Sequence, residues 1–256
     1  MKKELSIQVF SVRDKLTTAE QTADTFKALA SYGYTGIQTA GAFTFGVEEY
    51  AKLAKDAGLK VIGTHLKFTD LEDIEETVRI HKILDTKCAG IGSMPGLWGG
   101  KSFNADVVKN FIESANKLIP QLQKHGLTFT YHHHANEFAK IGNDTIMDIL
   151  LKELDKNTSY VLDTHWLQAG GVSIIEWLKK CEGRVKILHL KDYAIQFGTN
   201  NRVITELGSG TINFKEIIKV AEECGVEHLC YEQDNAIEND SLASAKLSAE
   251  NFFSII

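Results

Sequence analysis

Side chains able to bind a metal ion or move a proton are concentrated in one stretch, Tyr131 to Phe138. This stretch carries three consecutive histidines and Glu137, and it follows an apolar segment, Leu127 to Tyr131, that is typical of a β-strand. These polar groups therefore lie at the carboxyl end of a predicted strand. Imidazole and carboxylate groups brought together there can hold a divalent cation or act as general acids and bases.

Three later strand ends carry similar groups. Asp163, His189 and Glu232 each come directly after an apolar run. With Glu137 they offer three carboxylates and one imidazole, a set that favours Mn²⁺ or Mg²⁺, with Zn²⁺, Co²⁺ and Fe²⁺ as alternatives. Such an ion polarises a carbonyl and its neighbouring hydroxyls and stabilises an enediolate, while a carboxylate or imidazole supplies the base.

Some of these residues also have a purely structural interpretation. Asp163 before a predicted helix is a good helix cap. Alternation along a strand sends His133 to the opposite face from His132 and His134. We therefore expect at least one of the three histidines to pack against a helix or to bond a neighbouring loop.

Further candidates lie at or near other strand ends. Strand one is predicted over residues 5–10, with Gln8 near its end. Gln38 and His65 end the next two predicted strands, and His65 in particular is a candidate to face the site. Trp98 lies in a glycine-bearing loop after strand four, where it either covers a sugar ring or simply buries the loop. The same two interpretations apply to Trp166.

Two charged residues and one turn are ambiguous. Lys191 either neutralises an alkoxide or carboxylate near the metal or pairs with Asp192. Arg13 either holds a loop, the interpretation that we favour, or binds substrate. The turn Leu207 to Thr211 contains two glycines and resembles a phosphate-binding turn, which is weak evidence by itself.

A helix, a glycine and a strand recur along the chain. Apolar residues at helical spacing cover 18–31, 47–56, 71–84, 105–124, 144–154, 173–180, 214–223 and 242–253. Glycines suited to a left-handed helix end precede most of the strands, with a weaker copy at Gly90. Eight alternating strand–helix units over 256 residues predict an α/β protein, a single (β/α)8 TIM barrel spanning residues 1–256. In that fold every strand end named above points into one bowl.

Composition indicates a globular protein and argues against nucleic-acid-binding and membrane proteins. The chain is 43% hydrophobic and 24% charged, which is ordinary for a globular domain, and its net charge of -6 argues against nucleic acid as the partner. We expect neither a signal peptide nor a membrane span, since no run approaches the ~20 apolar residues that a span needs. The four cysteines lack CxxC spacing and fit reduced, mostly buried thiols in a cytoplasmic protein.

Over essentially its whole length the chain resembles the sugar phosphate isomerase/epimerase family, the xylose-isomerase-like TIM barrels. The segments that carry this resemblance are Ile7–Asp14, Gly63–His65, Tyr131–Phe138, Leu162–Trp166, Leu188–Asp192, Leu207–Phe214 and Tyr231–Asp234. Together these segments are specific for the family, although no single one is.

The resemblance implies a divalent metal held by Glu137, Asp163, His189 and Glu232, with Glu137, Glu232 and Lys191 as the catalytic groups. The residues expected to contact substrate are Gln8, His65, Trp98, His132, His134, Trp166 and Lys191.

The chain departs from the family pattern in three places. The first metal glutamate of better-known epimerases lies within strand five, where this chain has Thr130 or Tyr131. Either Glu137 has taken over as ligand, or His132 or His134 fills the gap. Gln38 replaces a frequent acidic residue, a change expected to leave the metal untouched and to alter substrate handling. His133 replaces a frequent asparagine.

The resemblance implies an isomerase or epimerase that acts on a keto-sugar or polyol through an enediolate. A metal-dependent dehydratase or lyase, acting on an inosose or a 3-keto-glycoside, starts from the same intermediate and is the alternative. A non-catalytic sugar-binding barrel is the alternative from another class. We expect a small carbohydrate as the partner, without nucleic acid or membrane, and the number of subunits, including a homo-oligomer, stays open.

Overall fold

Eight parallel strands form the inner wall of the molecule. The structure is a computed structural model that describes residues 4–41 and 43–256; residues 1–3, which belong to the segment considered for a signal peptide, and residue 42 lie outside the described residues. The barrel strands are β1 Leu5–Gln8, β2 Tyr34–Gln38, β3 Lys60–Gly63, β4 Cys88–Ile91, β5 Thr128–His132, β6 Ser159–Asp163, β7 Val185–Leu190 and β8 His228–Tyr231.

The strands follow one another around a nearly closed barrel. Their order is β3-β2-β1-β8-β7-β6-β5-β4, with parallel pairing between hydrogen-bonded neighbours. The remaining seam is bridged just past the end of β3, where Thr64 N donates to Cys88 O at 3.0 Å and Leu66 N donates to Gly90 O at 2.9 Å. The predicted (β/α)8 fold is confirmed.

Helices surround the strands and cover their outer faces. They are α1 Ala19–Ser31, α2 Val47–Asp56, α3 Phe68–Leu71, α4 Ile74–Ile83, α5 Ala105–Lys124, α6 Ile146–Glu153, α7 Thr164–Ala169, α8 Ile174–Lys180, α9 Phe214–Glu223 and α10 Ser241–Ile255. Helices α2, α5 and α9 match the predicted bounds to the residue. Thr18 starts α1 by accepting a hydrogen bond from Gln21 N.

Some observed strands and helices have other bounds than predicted, because a side chain caps a helix earlier in the chain. Strand one ends at Gln8 rather than at residue 10, since the Gln8 side chain accepts from Phe10 N and begins a 3-10 turn. The helix predicted over 71–84 is divided between α3 and α4, because Asp73 accepts from Glu76 N and starts a new helix. Asp163 caps α7, the structural role that the sequence offered for it, and this helix begins well before the predicted range 173–180.

An antiparallel hairpin, also unpredicted, follows β7. Its strands are Asp192–Ile195 and Arg202–Thr205. A smaller pair, Lys140–Ile141 with Asp144–Thr145, precedes α6 and replaces the start of the helix predicted over 144–154. Both hairpins depend on pairing between segments, which helical periodicity does not report.

Two expectations about the whole chain can be compared with the structure. The four cysteines are all free and buried, as predicted. Among the described residues, none of the helices combines the length and apolarity that crossing a bilayer requires.

Gly90 is needed for a different reason from the one that its sequence context suggests. The residue that adopts a left-handed conformation before β4 is Asp85, with φ of 52°. At Gly90 an added Cβ would lie 2.2 Å from Thr64 O and 2.4 Å from Thr130 Oγ1. The barrel wall therefore has no room for a side chain at this position.

We expect Gly90→Ala to lower the free energy of unfolding by about 1–3 kcal/mol, because backbone must move to admit the methyl group. Gly92→Ala is the matched control, since its Cβ would approach no nearer than 3.6 Å to His65 Nδ1, an ordinary contact. Urea unfolding of both variants measures the difference. Equal stabilities would show that strand β4 tolerates the added carbon.

Candidate active site

A cavity of about 590 Å³ opens at the carboxyl ends of the strands. His65, His132, His134, Lys191 and Glu232 lie on its wall together with the loop that carries Trp98. This is the end of a TIM barrel at which side chains from different strands converge. Its volume lies within the range of roughly 300–1,000 Å³ that is usual for small-molecule sites.

Four side chains at the ends of β5 to β8 converge at the floor of this cavity. His132, Asp163, His189 and Glu232 are buried, and one donor atom of each lies within 4.8 Å of the others. Asp163 Oδ2 is 3.7 Å from both His132 Nε2 and His189 Nδ1, and Glu232 Oε2 is 2.8 Å from His189 Nδ1. We call these four residues the donor group.

The strands hold the donor group in place. Parallel pairing sets Asp163 beside His189 in the register of β6 and β7. Asp163 Oδ1 caps α7 by accepting from Trp166 N at 2.9 Å, which leaves Oδ2 to face the cavity floor. His132 Nδ1 lies 3.1 Å from the carbonyl of Gly92 and donates to it, so Nε2 keeps a lone pair.

The donor atoms have one another and the Lys191 ammonium as close polar neighbours. His132 Nε2, Asp163 Oδ2, His189 Nδ1 and Glu232 Oε2 are all buried, and none makes a hydrogen bond of good geometry with another part of the described chain. Buried polar atoms are normally paired, and a cluster left unpaired signals a bound ion or water. The donor group therefore fits a divalent cation.

Lys191 adds a positive charge to the same place. It is 1% exposed, and its ammonium lies 2.9 Å from Glu232 Oε2 and 3.1 Å from Asp163 Oδ2. Asp234 also contacts Lys191 Nζ, at 3.1 Å, and lies on the cavity wall. Asp234 was not among the predicted site residues. Its position two residues after Glu232, at the end of a predicted strand, could have indicated that it belongs to the site.

The charges of these groups follow from their contacts. Burial by itself would raise the pKa values of Asp163 and Glu232, but the Lys191 ammonium lowers both well below their usual range. Burial would likewise lower the pKa of Lys191, but the carboxylates of Asp163, Glu232 and Asp234 raise it above its usual value. At neutral pH the two carboxylates are ionised and the lysine is charged.

Glu137, predicted as the fourth ligand, lies outside the donor group. It is fully buried, and its carboxylate accepts from the Tyr131 hydroxyl at 2.7 Å and from His134 N at 2.9 Å. These bonds turn the side chain back under its own loop, because it sits in a 3-10 turn after β5 rather than in the strand. His132, expected to contact substrate or to fill the gap in the ligand set, belongs to the donor group instead.

Burial raises the pKa of Glu137 from 4.5 to about 7. The folded state then binds more protons than the unfolded state between these values, so this group makes stability fall as pH rises through that window. Between about pH 4 and pH 8 this group should lower the free energy of unfolding by about 3 kcal/mol. We expect this decrease to be absent in Glu137→Gln, which has no carboxyl group to titrate. Urea unfolding with a chelator present measures it; parallel stability–pH curves for the two proteins would contradict the raised pKa.

The histidine triplet divides as alternation predicted. His133 faces away from the cavity, where its Nε2 accepts from Asp163 N at 3.1 Å. His134 lies on the cavity wall with Trp98 at 4.9 Å and Trp166 at 5.3 Å between ring centroids. Burial lowers the pKa of His134 to about 2, so it is neutral. Trp98 lines the cavity with His134, whereas Trp166, a predicted substrate contact, packs against His134 without lining the cavity.

The glutamines lie deeper than expected. Gln8 and Gln38 are fully buried beneath the cavity. Gln38 Oε1 is 2.6 Å from His189 Nε2, so the glutamine at this position contacts a member of the donor group. Gln8 Nε2 is 3.0 Å from His65 Nδ1, and it therefore supports a wall residue.

Two ambiguous features have structural roles. Asp192 does not pair with Lys191; its carboxylate accepts from Gly208 N at 3.0 Å and Gly210 N at 2.9 Å. The turn that resembled a phosphate site is thus occupied by the protein's own carboxylate. Arg13 donates to two backbone carbonyls, those of Phe10 at 2.7 Å and Asp234 at 3.0 Å.

Comparisons with known proteins agree with this architecture. A family model described as xylose isomerase-like TIM barrel matches residues 26–249. An inosose dehydratase of Clostridium perfringens is 31% identical over 153 residues, which make up 53% of this chain and 51% of that protein. The chain thus matches about half the length of this curated relative.

Solved structures share the fold. A sugar phosphate isomerase/epimerase from Parabacteroides distasonis superposes with a TM-score of 0.77 at 24% identity, covering 98% of this chain and 93% of that one. A xylose isomerase-like TIM barrel protein from Mycobacterium smegmatis, in complex with magnesium, superposes with a TM-score of 0.72 at 15% identity, covering 99% and 95%. At these identities the similarity concerns the fold.

Proposed function

We propose that this chain, which belongs to the xylose isomerase-like TIM-barrel family, removes a proton beside the ketone of a small polyhydroxylated substrate and then expels a neighbouring hydroxyl as water. The observation that carries this proposal is the position of Glu232. Its carboxylate lies on the cavity wall, belongs to the donor group, and is kept ionised by Lys191 at 2.9 Å.

The donor group supports a requirement for a divalent cation held by His132, Asp163, His189 and Glu232. Two imidazoles and two carboxylates suit Mn²⁺, Fe²⁺, Co²⁺ or Zn²⁺ better than Mg²⁺, which prefers oxygen ligands. When bound, such an ion polarises a ketone and stabilises the negative charge of an enediolate.

Glu232 is the base in this mechanism, because it is the ionised carboxylate of the donor group that also reaches the cavity wall. It takes the proton from the carbon beside the ketone. The same carboxyl group then gives that proton to the departing β-hydroxyl, so one water leaves and the carboxylate is restored. Lys191 keeps Glu232 ionised and offers its ammonium to the departing oxygen.

The aromatic wall orients the substrate. Trp98 and His134 present apolar ring surface to the cavity, which His132 and Glu232 of the donor group also line. A ring-shaped polyol has an apolar C–H face and polar oxygen edges, which match these two surfaces. The curated relatives named inosose dehydratase support a cyclic ketone as substrate and dehydration as the net reaction.

Isomerisation or epimerisation of a keto-sugar is the second candidate. It shares the first proton transfer but returns the proton to carbon instead of oxygen. Asp234 favours it, because this second acid lies on the cavity wall 3.1 Å from Lys191 Nζ and is placed to deliver a proton from another direction.

Incubation with substrate in D₂O distinguishes these outcomes. Protein loaded with Mn²⁺ or Co²⁺ is mixed with an inosose and, separately, with unphosphorylated ketoses, and the products are followed by NMR and mass spectrometry. We expect the inosose to lose one water. Deuterium on carbon without loss of water would establish the second candidate, and no exchange in any ketone would point to the sugar-binding barrel.

A further inference from the structure

Two buried amides connect the donor group to another histidine on the cavity wall. Gln8 and Gln38 are register partners at the ends of β1 and β2, and Gln8 Nε2 lies 3.0 Å from Gln38 Oε1. Gln8 also contacts His65 Nδ1 at 3.0 Å, and Gln38 contacts His189 Nε2 at 2.6 Å. The four side chains form a continuous chain of polar contacts, which we call the glutamine relay.

The backbone fixes the direction of the relay. Phe10 N donates to Gln8 Oε1 at 3.1 Å, and a backbone N–H can only donate. The Gln8 amide nitrogen must therefore face Gln38 and His65. The carbonyl of Thr39, 3.4 Å from Gln8 Nε2, can only accept and independently requires the same orientation.

The tautomer of His65 follows from this orientation. An amide NH₂ only donates, so His65 Nδ1 must accept and carries no hydrogen. The hydrogen of the neutral ring is then on Nε2, a buried atom that lacks a hydrogen-bond partner within residues 4–41 and 43–256. Burial, with His132 and His189 nearby, lowers the pKa of His65 well below its usual value, which keeps the ring neutral.

The tautomer of His189 follows from the same orientation. Because Gln8 donates to Gln38 Oε1, this atom is the amide oxygen and can only accept from His189 Nε2. Burial would lower the pKa of His189, but the carboxylates of Glu232 and Asp163 raise it well above its usual value, so Nδ1 carries a proton in the metal-free protein. Loss of this proton on metal binding would free the Nδ1 lone pair. Nδ1 is the atom that lies 2.8 Å from Glu232 Oε2 and 3.7 Å from Asp163 Oδ2, within the donor group.

We propose that Gln8 and Gln38 are positioning residues that set two histidine tautomers from one backbone N–H, holding His189 as an Nδ1 metal ligand and His65 as an Nε2–H donor to a substrate oxygen. The part that concerns the ligand and the substrate rests on the proposed function. The tautomer of His65 in the free protein does not, because it follows from the contacts of Gln8 alone.

Three substitutions divide the relay into its parts. Gln38→Leu removes the acceptor of His189, and we expect metal affinity to fall about 10- to 100-fold while His65 keeps its tautomer. Gln8→Leu removes the donor to His65, and we expect a mixture of the two His65 tautomers. Gln38→Glu keeps an acceptor oxygen for His189, loses the Gln38 Nε2, a buried donor that makes no hydrogen bond with the described residues, and adds a negative charge beside the ring. A carboxylate partner raises the basicity of a histidine ligand, so metal affinity should not fall.

Histidine ring ¹⁵N shifts, recorded on ¹⁵N-histidine-labelled protein without metal and with diamagnetic Zn²⁺, report the tautomers, and competition with a chelating dye gives the Zn²⁺ affinity. A hydrogen on His65 Nδ1 in the unsubstituted protein would overturn the proposal, as would unchanged Zn²⁺ affinity in Gln38→Leu. The His65 tautomer, read in the unsubstituted protein, keeps the test valid if a leucine variant fails to fold. A correct His65 tautomer in a protein that exchanges no ketone would support the relay and reject the proposed function.

Discussion

Replacing Asp163 with alanine should abolish stoichiometric binding of Mn²⁺ or Co²⁺ and, with it, proton exchange into any ketone. Asp163 Oδ2 lies 3.7 Å from a nitrogen of both His132 and His189, so it connects the two imidazoles of the donor group. Loss of an outer-shell partner alone costs 10- to 100-fold in affinity, and a direct ligand should therefore cost more than about a hundredfold. Titration calorimetry and elemental analysis of dialysed protein measure the change.

Two further variants make this result specific. Asp163→Asn keeps an oxygen able to cap α7 through Trp166 N, so a loss of metal shared with the alanine variant is not a consequence of a lost cap. His132→Ala should lose metal as Asp163→Ala does, while Glu137→Gln should keep it. Loss of metal in Glu137→Gln with retention in His132→Ala would restore the ligand set that the sequence suggested.

Replacing Lys191 with methionine should destabilise the metal-free protein by about 3–5 kcal/mol, the usual cost of removing one partner from a buried ion pair. The ammonium is 1% exposed and contacts the carboxylates of Asp163, Glu232 and Asp234, which would otherwise repel one another. A divalent cation brings positive charge to the same carboxylates. We therefore expect added Mn²⁺ to recover most of the lost stability in this variant.

Urea unfolding with chelator and with excess Mn²⁺ measures both parts of this prediction. Lys152→Met is the matched control, since Lys152 pairs with Asp144 at 3.0 Å on the surface and is 61% exposed; its loss should change stability by less than about 1 kcal/mol. Equal destabilisation of Lys191→Met in both conditions would mean that the ammonium and the ion do not share the same carboxylates.

The fold and three members of the donor group were predictable from sequence because they depend on short-range patterns. Helical spacing of apolar residues and glycines at helix ends define the alternating units, and parallel strands necessarily gather their carboxyl ends at one edge. Asp163 ends a strand, His189 is the last residue but one of the next, and Glu232 directly follows a third, so their convergence follows from counting strands.

The fourth donor was decided by tertiary structure. Glu137 and His132 are five positions apart in one motif, and both are chemically suitable ligands. His132 belongs to strand β5 and points to the bowl, whereas Glu137 falls in a 3-10 turn that carries its carboxylate back to the Tyr131 hydroxyl. That difference depends on where a strand ends, which residue types alone do not determine.

Sequence alone thus determined an eightfold barrel and the chemical types of the groups at its rim, because both follow from local periodicity and strand polarity. Only the three-dimensional structure decided which of those groups contact one another. Gln8 and Gln38, separated by a whole helix in the chain, meet across two paired strands and orient His65 and His189. Which side chain donates and which accepts in these hydrogen bonds depends on how distant segments pack together. Local sequence patterns do not contain that information.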